Sequence, residues 1–203
     1  MDHVELKPYP MPAGAPVLMP YQDLPFNGDG YAAAEVLRLK EKHGCTNVVE
    51  TGTCLGSTAI WFAQNFSMVI TIEAHKPYLD IANERLFRVG NTLTYYGESA
   101  ERLKSCTSAD FYFLDAHWGR VCPLLDELQI LATDSRRPVI MIHDFQVPDR
   151  PDLGYDCFPD GKPFSLKAVA PYLDKIYGKG QWTHHFNDKA EGACRGILYV
   201  EPA

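Results

Sequence analysis

Val48-Val49-Glu50-Thr51-Gly52-Thr53-Cys54-Leu55-Gly56-Ser57-Thr58 is the stretch whose reading decides the fold. Its apolar start predicts a short buried strand over Asn47–Glu50, and the residues after Gly56 predict a helix over Ser57–Asn65. Between them lies a glycine-bracketed loop that opens a helix, the context a ligand-binding loop needs. Gly52 permits a tight turn close to a ligand, and Gly56 permits close helix–strand approach. The free N–H groups of the helix N-terminus face the ligand. Ser57 or Thr58 either caps that helix or bonds the ligand. Cys54 stands where a dinucleotide loop has its second glycine, the one that makes room for a pyrophosphate. The loop therefore suits a ligand without a pyrophosphate.

Working outward, strand and helix patterns alternate. Met68–Glu73, Thr92–Tyr96, Phe111–Asp115 and Val139–His143 read as strands. Tyr78–Val89, Ser99–Lys104, Cys122–Ala132 and Lys167–Tyr177 read as helices, and a further helix runs from Tyr31 to the stop at Gly44. This rhythm predicts a mostly parallel sheet covered on both faces. Trp182–Phe186 and Gly196–Val200 then read as two strands too close in sequence for a parallel crossover, so they should be antiparallel. The expected fold class is α/β: a Rossmann-like, doubly wound, mostly parallel seven-stranded sheet ending in an antiparallel hairpin.

Groups suited to a ligand gather at one edge of that sheet. Glu50 ends the first strand. Glu73 ends the second, where a carboxylate accepts hydrogen bonds from ribose hydroxyls. Gly97-Glu98-Ser99 ends the third. Thr51 and Ala74 flank the two acidic strand ends and belong to the same expected site. Asp115, His117, His143 and Asp144 follow at the ends of strands four and five. Two carboxylates with an imidazole can ligate Mg²⁺ weakly or a transition metal better, with Asp115, His143 and Asp144 as the expected set. Without a metal, His117 or His143 serves as general base, imidazole titrating near neutrality. His184-His185 reads as structural or exposed.

The chain has 203 residues, 46% of them apolar and 22% charged, enough for one domain with its own core. Residues 28–203 form that expected domain. Residues 1–27 carry Pro8, Pro10, Pro12, Pro16, Pro20 and Pro25, so they form no regular element. Tyr9, Leu18, Met19, Tyr21, Leu24 and Phe26 make them too apolar for a solvated linker, and a packed arm over the site or a partner subunit is expected. The net charge of −7 argues against a dedicated nucleic-acid binder. No apolar run reaches the length of a membrane span, and no signal peptide is recognisable. Six scattered cysteines suit reduced thiols in the cytoplasm.

Glu50-x-Gly52-x-x-x-Gly56-x-Thr58, Thr71-Ile72-Glu73, Gly97-Glu98-Ser99 and Phe113-Leu114-Asp115-Ala116-His117-Trp118, in that order, resemble the catechol-type O-methyltransferases and related small-molecule methyltransferases. The resemblance covers roughly residues 46–146 and implies a class I, S-adenosylmethionine-dependent methyltransferase. It implies that Glu50, Gly52 and Ser57 surround the methionine portion, Glu73 holds the ribose and Ser99 lies at the adenine. It matches Asp115 and Asp144 to two metal-ligating aspartates. Two positions depart from the catechol pattern: Phe145 stands at the place of an asparagine ligand, and Gly119 at the place of a catalytic lysine. His143-Asp144 is closer to the sugar and antibiotic O-methyltransferases, which put an acidic pair there.

The expected function is therefore O-methylation of a small-molecule acceptor, with a divalent metal or a base to activate the hydroxyl. A homodimer is compatible with this reading; nucleic-acid and membrane partners are not expected. Two rivals stand beside it: a non-catalytic S-adenosylmethionine-binding or interaction module, and another reaction on the same fold. Residues 146–163 are long for a structureless connection and are expected to act as a substrate-side lid or a packed loop.

Overall fold

The structure is a computed structural model that describes residues 3–13, 20–106, 108–117 and 121–203. Seven strands form one sheet: β1 (Asn47–Thr51), β2 (Met68–Glu73), β3 (Thr92–Tyr96), β4 (Phe111–Leu114), β5 (Val139–Ile142), β6 (Trp182–Phe186) and β7 (Leu198–Pro202). Among the described residues six α-helices cover it: α1 (Gly30–His43), α2 (Ser57–Asn65), α3 (Lys76–Leu86), α4 (Ser99–Leu103), α5 (Leu124–Leu131) and α6 (Leu166–Tyr177). The strand order is β3-β2-β1-β4-β5-β7-β6. The first five strands are parallel, and β7 runs antiparallel to both β5 and β6. This is the doubly wound, Rossmann-like sheet expected from the strand and helix rhythm.

Alternation along the strands divides the core. Val48, Val69, Phe111, Phe113, Val139 and Met141 face Trp61, Phe62, Ala33 and Val36 on one side. Val49, Tyr112, Leu114, Ile140 and Ile142 face Leu103, Leu128, Leu173 and Tyr177 on the other. All of β4 and β5 is buried, as central parallel strands must be.

Helix ends follow local chemistry. Asp29 caps α1, its Oδ1 accepting from the Tyr31 and Ala32 N–H groups at 2.9 and 3.1 Å. Gly44 closes α1 in the left-handed conformation. Helix α3 begins at Lys76, ahead of the expected Tyr78, because Pro77 is well suited to a first helical turn.

The terminal pair differs in one respect. The expected strand Gly196–Val200 begins only at Leu198, because the Gly196 N–H and C=O are spent on Gly154 and Phe145, both at 2.8 Å. Residues 187–197 thus pack beside residues 144–164 instead of forming a tight turn. The proline-rich lead is packed in part, with Glu5, Lys7, Pro8, Pro10 and Tyr21 exposed. Val4 and Leu6 lie against the α1 side of the core, and Phe26 is buried within it. Leu18 and Met19 lie outside the described residues. Among those described, no helix is long and apolar enough to cross a membrane.

Candidate active site

The register aligns Thr51 with both Ile72 and Leu114, and Leu114 with Ile142. The residues just beyond these strands therefore meet at one edge, where the strand order reverses between β1 and β4. Open α/β sheets bind ligands in this crevice. A cavity of about 500 Å³ occupies it.

One wall is the β1–α2 loop. Gly52 has φ +84°, and a Cβ there would lie 2.4 Å from the Asp115 carbonyl oxygen, so only glycine lets the loop cross the end of β4. The Gly52 and Thr53 N–H groups donate to the Ile72 carbonyl at 2.9 and 3.2 Å. Thr53, Cys54, Ser57 and Thr58 line the cavity. Ser57 Oγ accepts from Arg85 at 3.2 Å, and Thr58 Oγ1 accepts from the Phe26 N–H at 3.0 Å. Gln22, Leu24 and Asn27, from the N-terminal lead, complete this side.

The next wall is acidic. Glu73 lines the cavity, its two oxygens accepting from the Cys54 and His75 N–H groups at 2.7 Å each. Burial raises its pKa, and these donors restrain the rise. Ala74, Glu98 and Ser99 line the floor beyond it. Ser99 lines the cavity, and its hydroxyl is buried beside the Glu127 carboxyl.

Glu50, Thr51 and Gly56 stand behind this surface rather than on it. Glu50 is buried and accepts from the Thr71 hydroxyl. Burial, with Asp115 and Glu73 nearby, pushes its pKa well above the carboxylate range. A carboxyl so placed braces the loop from beneath and offers no exposed charge to a ligand. Thr51 holds the Asp115 N–H through both its carbonyl and its hydroxyl, at 3.1 and 3.3 Å.

The far wall carries Asp115, His117, Asp144 and Asp156. His117 Nε2 lies 2.7 Å from Asp144 Oδ2, 3.5 Å from Asp156 and 3.8 Å from Asp115. Burial opposes a charge on His117, but the Asp144 hydrogen bond and the surrounding carboxylates outweigh it and raise its pKa. His143 is buried below, its Nδ1 3.3 Å from both Asp115 and Asp144, and those charges raise its pKa well above the usual value against the cost of burial. His143 does not line the cavity. Trp118 and Gly119 lie outside the described residues.

The donor set bears on a metal. Asp115, His117 and Asp144 offer atoms within 4.8 Å of one another, so His117 takes the position expected of His143. Mg²⁺ requires near-octahedral oxygen ligation, and three features work against it here. Of the three carboxylates on this wall, Asp156 is held by Arg195 and lies outside the converging set. Phe145, at the place of the third oxygen ligand, is fully buried in the core. Asp144 is already engaged on both oxygens, by His117 and by the Arg195 guanidinium. In this arrangement the residues do not fit a resident Mg²⁺ ion.

Arg195 and Glu127 stand behind the cavity wall, in contact with residues that line it, and no motif in the sequence marks them. Glu127, on α5, is buried beside the hydroxyls of Ser99 and Thr51, and burial pushes its carboxyl pKa up to about 7. Asp156, in the expected lid, supplies a carboxylate to the cavity. That segment is pinned: Gln146 and Phe164 pair at 2.8 Å, and the Asp156 N–H donates to the Asp144 carbonyl at 2.9 Å.

Neither a protein-family model nor a curated protein sequence matches the chain. Solved structures do. An O-methyltransferase from Bacillus cereus in complex with SAH is 18% identical over 95% of this chain and 84% of that one, with a TM-score of 0.63. The O-methyltransferase TomG from Streptomyces achromogenes, solved with SAM, is 17% identical over 85% and 80%, with a TM-score of 0.60. CalS10, a SAM-bound amino pentose methyltransferase from Micromonospora echinaspora, is 13% identical over 85% and 91%, with a TM-score of 0.58. The chain has the fold of the SAM-dependent methyltransferases. At these identities the likeness is one of fold, and the chemistry must be argued from the cavity.

Proposed function

We propose that this chain is an S-adenosylmethionine-dependent methyltransferase acting on a small-molecule hydroxyl. The observation that carries the reading is a single cavity with two chemically different ends. At one end are Glu73, a ribose-type carboxylate, and Ser99; at the other is a carboxylate-held imidazole, His117.

In this reading Glu73 accepts from the ribose hydroxyls, and Glu98 and Ser99 flank the adenine. The Gly52–Thr58 loop and helix N-terminus hold the methionine portion. Asp115 faces the sulfonium. The acceptor oxygen attacks the methyl carbon in line as the carbon–sulfur bond breaks, and S-adenosylhomocysteine leaves. The hydroxyl proton passes to His117. With Nε2 engaged by Asp144, Nδ1 is the ring atom left to take it. Holding donor and acceptor in line supplies much of the rate, and the base supplies a further factor of roughly 10²–10⁴. The net charge of −7 supports a small-molecule acceptor over nucleic acid.

Calorimetric titration with S-adenosylhomocysteine tests the donor site. Binding by the wild-type chain and a loss of roughly tenfold or more in Glu73→Ala are expected. No binding at about millimolar ligand would sink the proposal. His117→Gln should keep that affinity within about twofold while methyl transfer to a phenol and sugar panel falls by the general-base factor. Transfer absent from the wild-type chain across the panel, with binding intact, would favour the non-catalytic binding module.

A further inference from the structure

We infer that Arg195 takes the place of a divalent cation at the reaction end of the cavity, so that the site is built around a fixed guanidinium. Its Nε donates to Asp144 Oδ1, and one Nη donates to Asp156 Oδ1. Both carboxylates line the cavity. One permanent cation thus bridges the end of β5 and the 146–163 segment, a bridging role that a metal would otherwise fill.

The placement is built into the backbone. Gly154 pairs with Arg195 in an isolated β-bridge. The Gly154 N–H donates to the Cys194 carbonyl at 2.9 Å, and the Gly196 N–H donates to the Gly154 carbonyl at 2.8 Å. A Cβ on Gly154 would lie 2.7 Å from Arg195 Nη1, so the bare glycine makes the room the guanidinium occupies. Asn187 Nδ2 donates to the Arg195 carbonyl at 3.0 Å and secures the residue from the other side. Backbone on both flanks therefore presets Arg195 before any ligand arrives.

The consequences are electrostatic. With Oδ1 held by Arg195, Asp144 turns Oδ2 toward His117 Nε2 at 2.7 Å and His143 Nδ1 at 3.3 Å. A dication entering among Asp115, His117 and Asp144 would meet a fixed positive charge on one of its own ligands. The planar guanidinium holds two carboxylates in set directions, which a lysine ammonium does less well. The catalytic meaning of this arrangement rests on the methyltransferase reading above; the arrangement itself does not.

Titration with Co²⁺, followed by its visible absorption, and with Mn²⁺, followed by electron spin resonance, tests it on the full chain. The wild-type chain should show no saturable binding. Arg195→Met frees Asp144 and should gain one ion per chain, at least about tenfold tighter than any residual wild-type binding. Arg195→Lys keeps the charge and should gain none. Thermal melting checks that each variant is folded. Should Arg195→Met unfold, the double variant Arg195→Met/Asp156→Asn removes both partners of one ion pair and should show the same gain. One ion bound per wild-type chain and lost in Asp144→Asn would overturn the inference, as would no gain in either folded variant. S-adenosylhomocysteine titration of the same samples separates the two claims: its failure removes the methyltransferase reading and leaves the metal result standing.

Discussion

Glu127 carries a carboxyl buried on α5, with Oε1 unpartnered and the Ser99 and Thr51 hydroxyls beside it. Its pKa rises from 4.5 to about 7, chiefly through burial. Below pH 4.5 the folded and unfolded chains both hold the proton, and the group costs nothing. Between 4.5 and about 7 the unfolded chain ionises while the folded chain does not, so stability falls as pH rises. Above 7 the loss is constant, at ~3 kcal/mol. Glu127→Gln should remove this dependence. Denaturant unfolding at pH 4 and pH 8 checks it: the variant's advantage should grow with pH, and an equal difference at both would refute the assignment. The sequence does not mark Glu127, since a glutamate in an amphipathic helix reads as solvated until the packing of α5 on the sheet is known. Glu73, Ser99 and Asp115 were legible because strand ends at one sheet edge carry ligand groups irrespective of packing.

Among the elements, the β1–α2 loop was legible from its glycines, and the reason is steric. Gly52→Ala puts a Cβ 2.4 Å from the Asp115 carbonyl oxygen at φ +84°. Left-handed strain and the clash together should cost on the order of 3 kcal/mol. Melting should drop by about 6–12 °C for a chain of this size. S-adenosylhomocysteine binding should be lost with it, since the loop must move away from Asp115. An alanine variant that melts and binds as the wild type does would show that the loop has room. The 146–163 segment was only half legible. Its length and Asp156 suggested a part in the site, yet its pairing with Gly196 and Arg195 comes from residues forty positions on in the chain. Such contacts leave no periodicity to read. His143 and His117 illustrate the same limit: both follow strand ends, and only side-chain direction puts His117 on the cavity and His143 beneath it.

At the scale of the molecule, residues 22–27 and the α2 side of the cavity are packed together. Phe26 is 2% exposed, and its ring meets Trp61, Phe62 and Phe113 edge-to-face at 4.9, 5.4 and 5.6 Å. Its N–H holds Thr58 on α2, while Leu24 and Asn27 line the cavity. The prolines announced an irregular segment and the aromatics a packed one, but which core receives Phe26 depends on the β4 register, which no local pattern carries. Phe26→Ala should cost about 3–5 kcal/mol, the usual loss for a buried phenylalanine. It should also release residues 20–28 from the cavity and weaken S-adenosylhomocysteine by roughly tenfold. Leu173→Ala provides the control: it empties a fully buried position on the opposite face of the sheet, at about 2–5 kcal/mol. Both variants should melt lower, yet only Phe26→Ala should change affinity. Equal affinities would mean that the lead stabilises the fold without shaping the site, and equal losses that affinity merely follows stability.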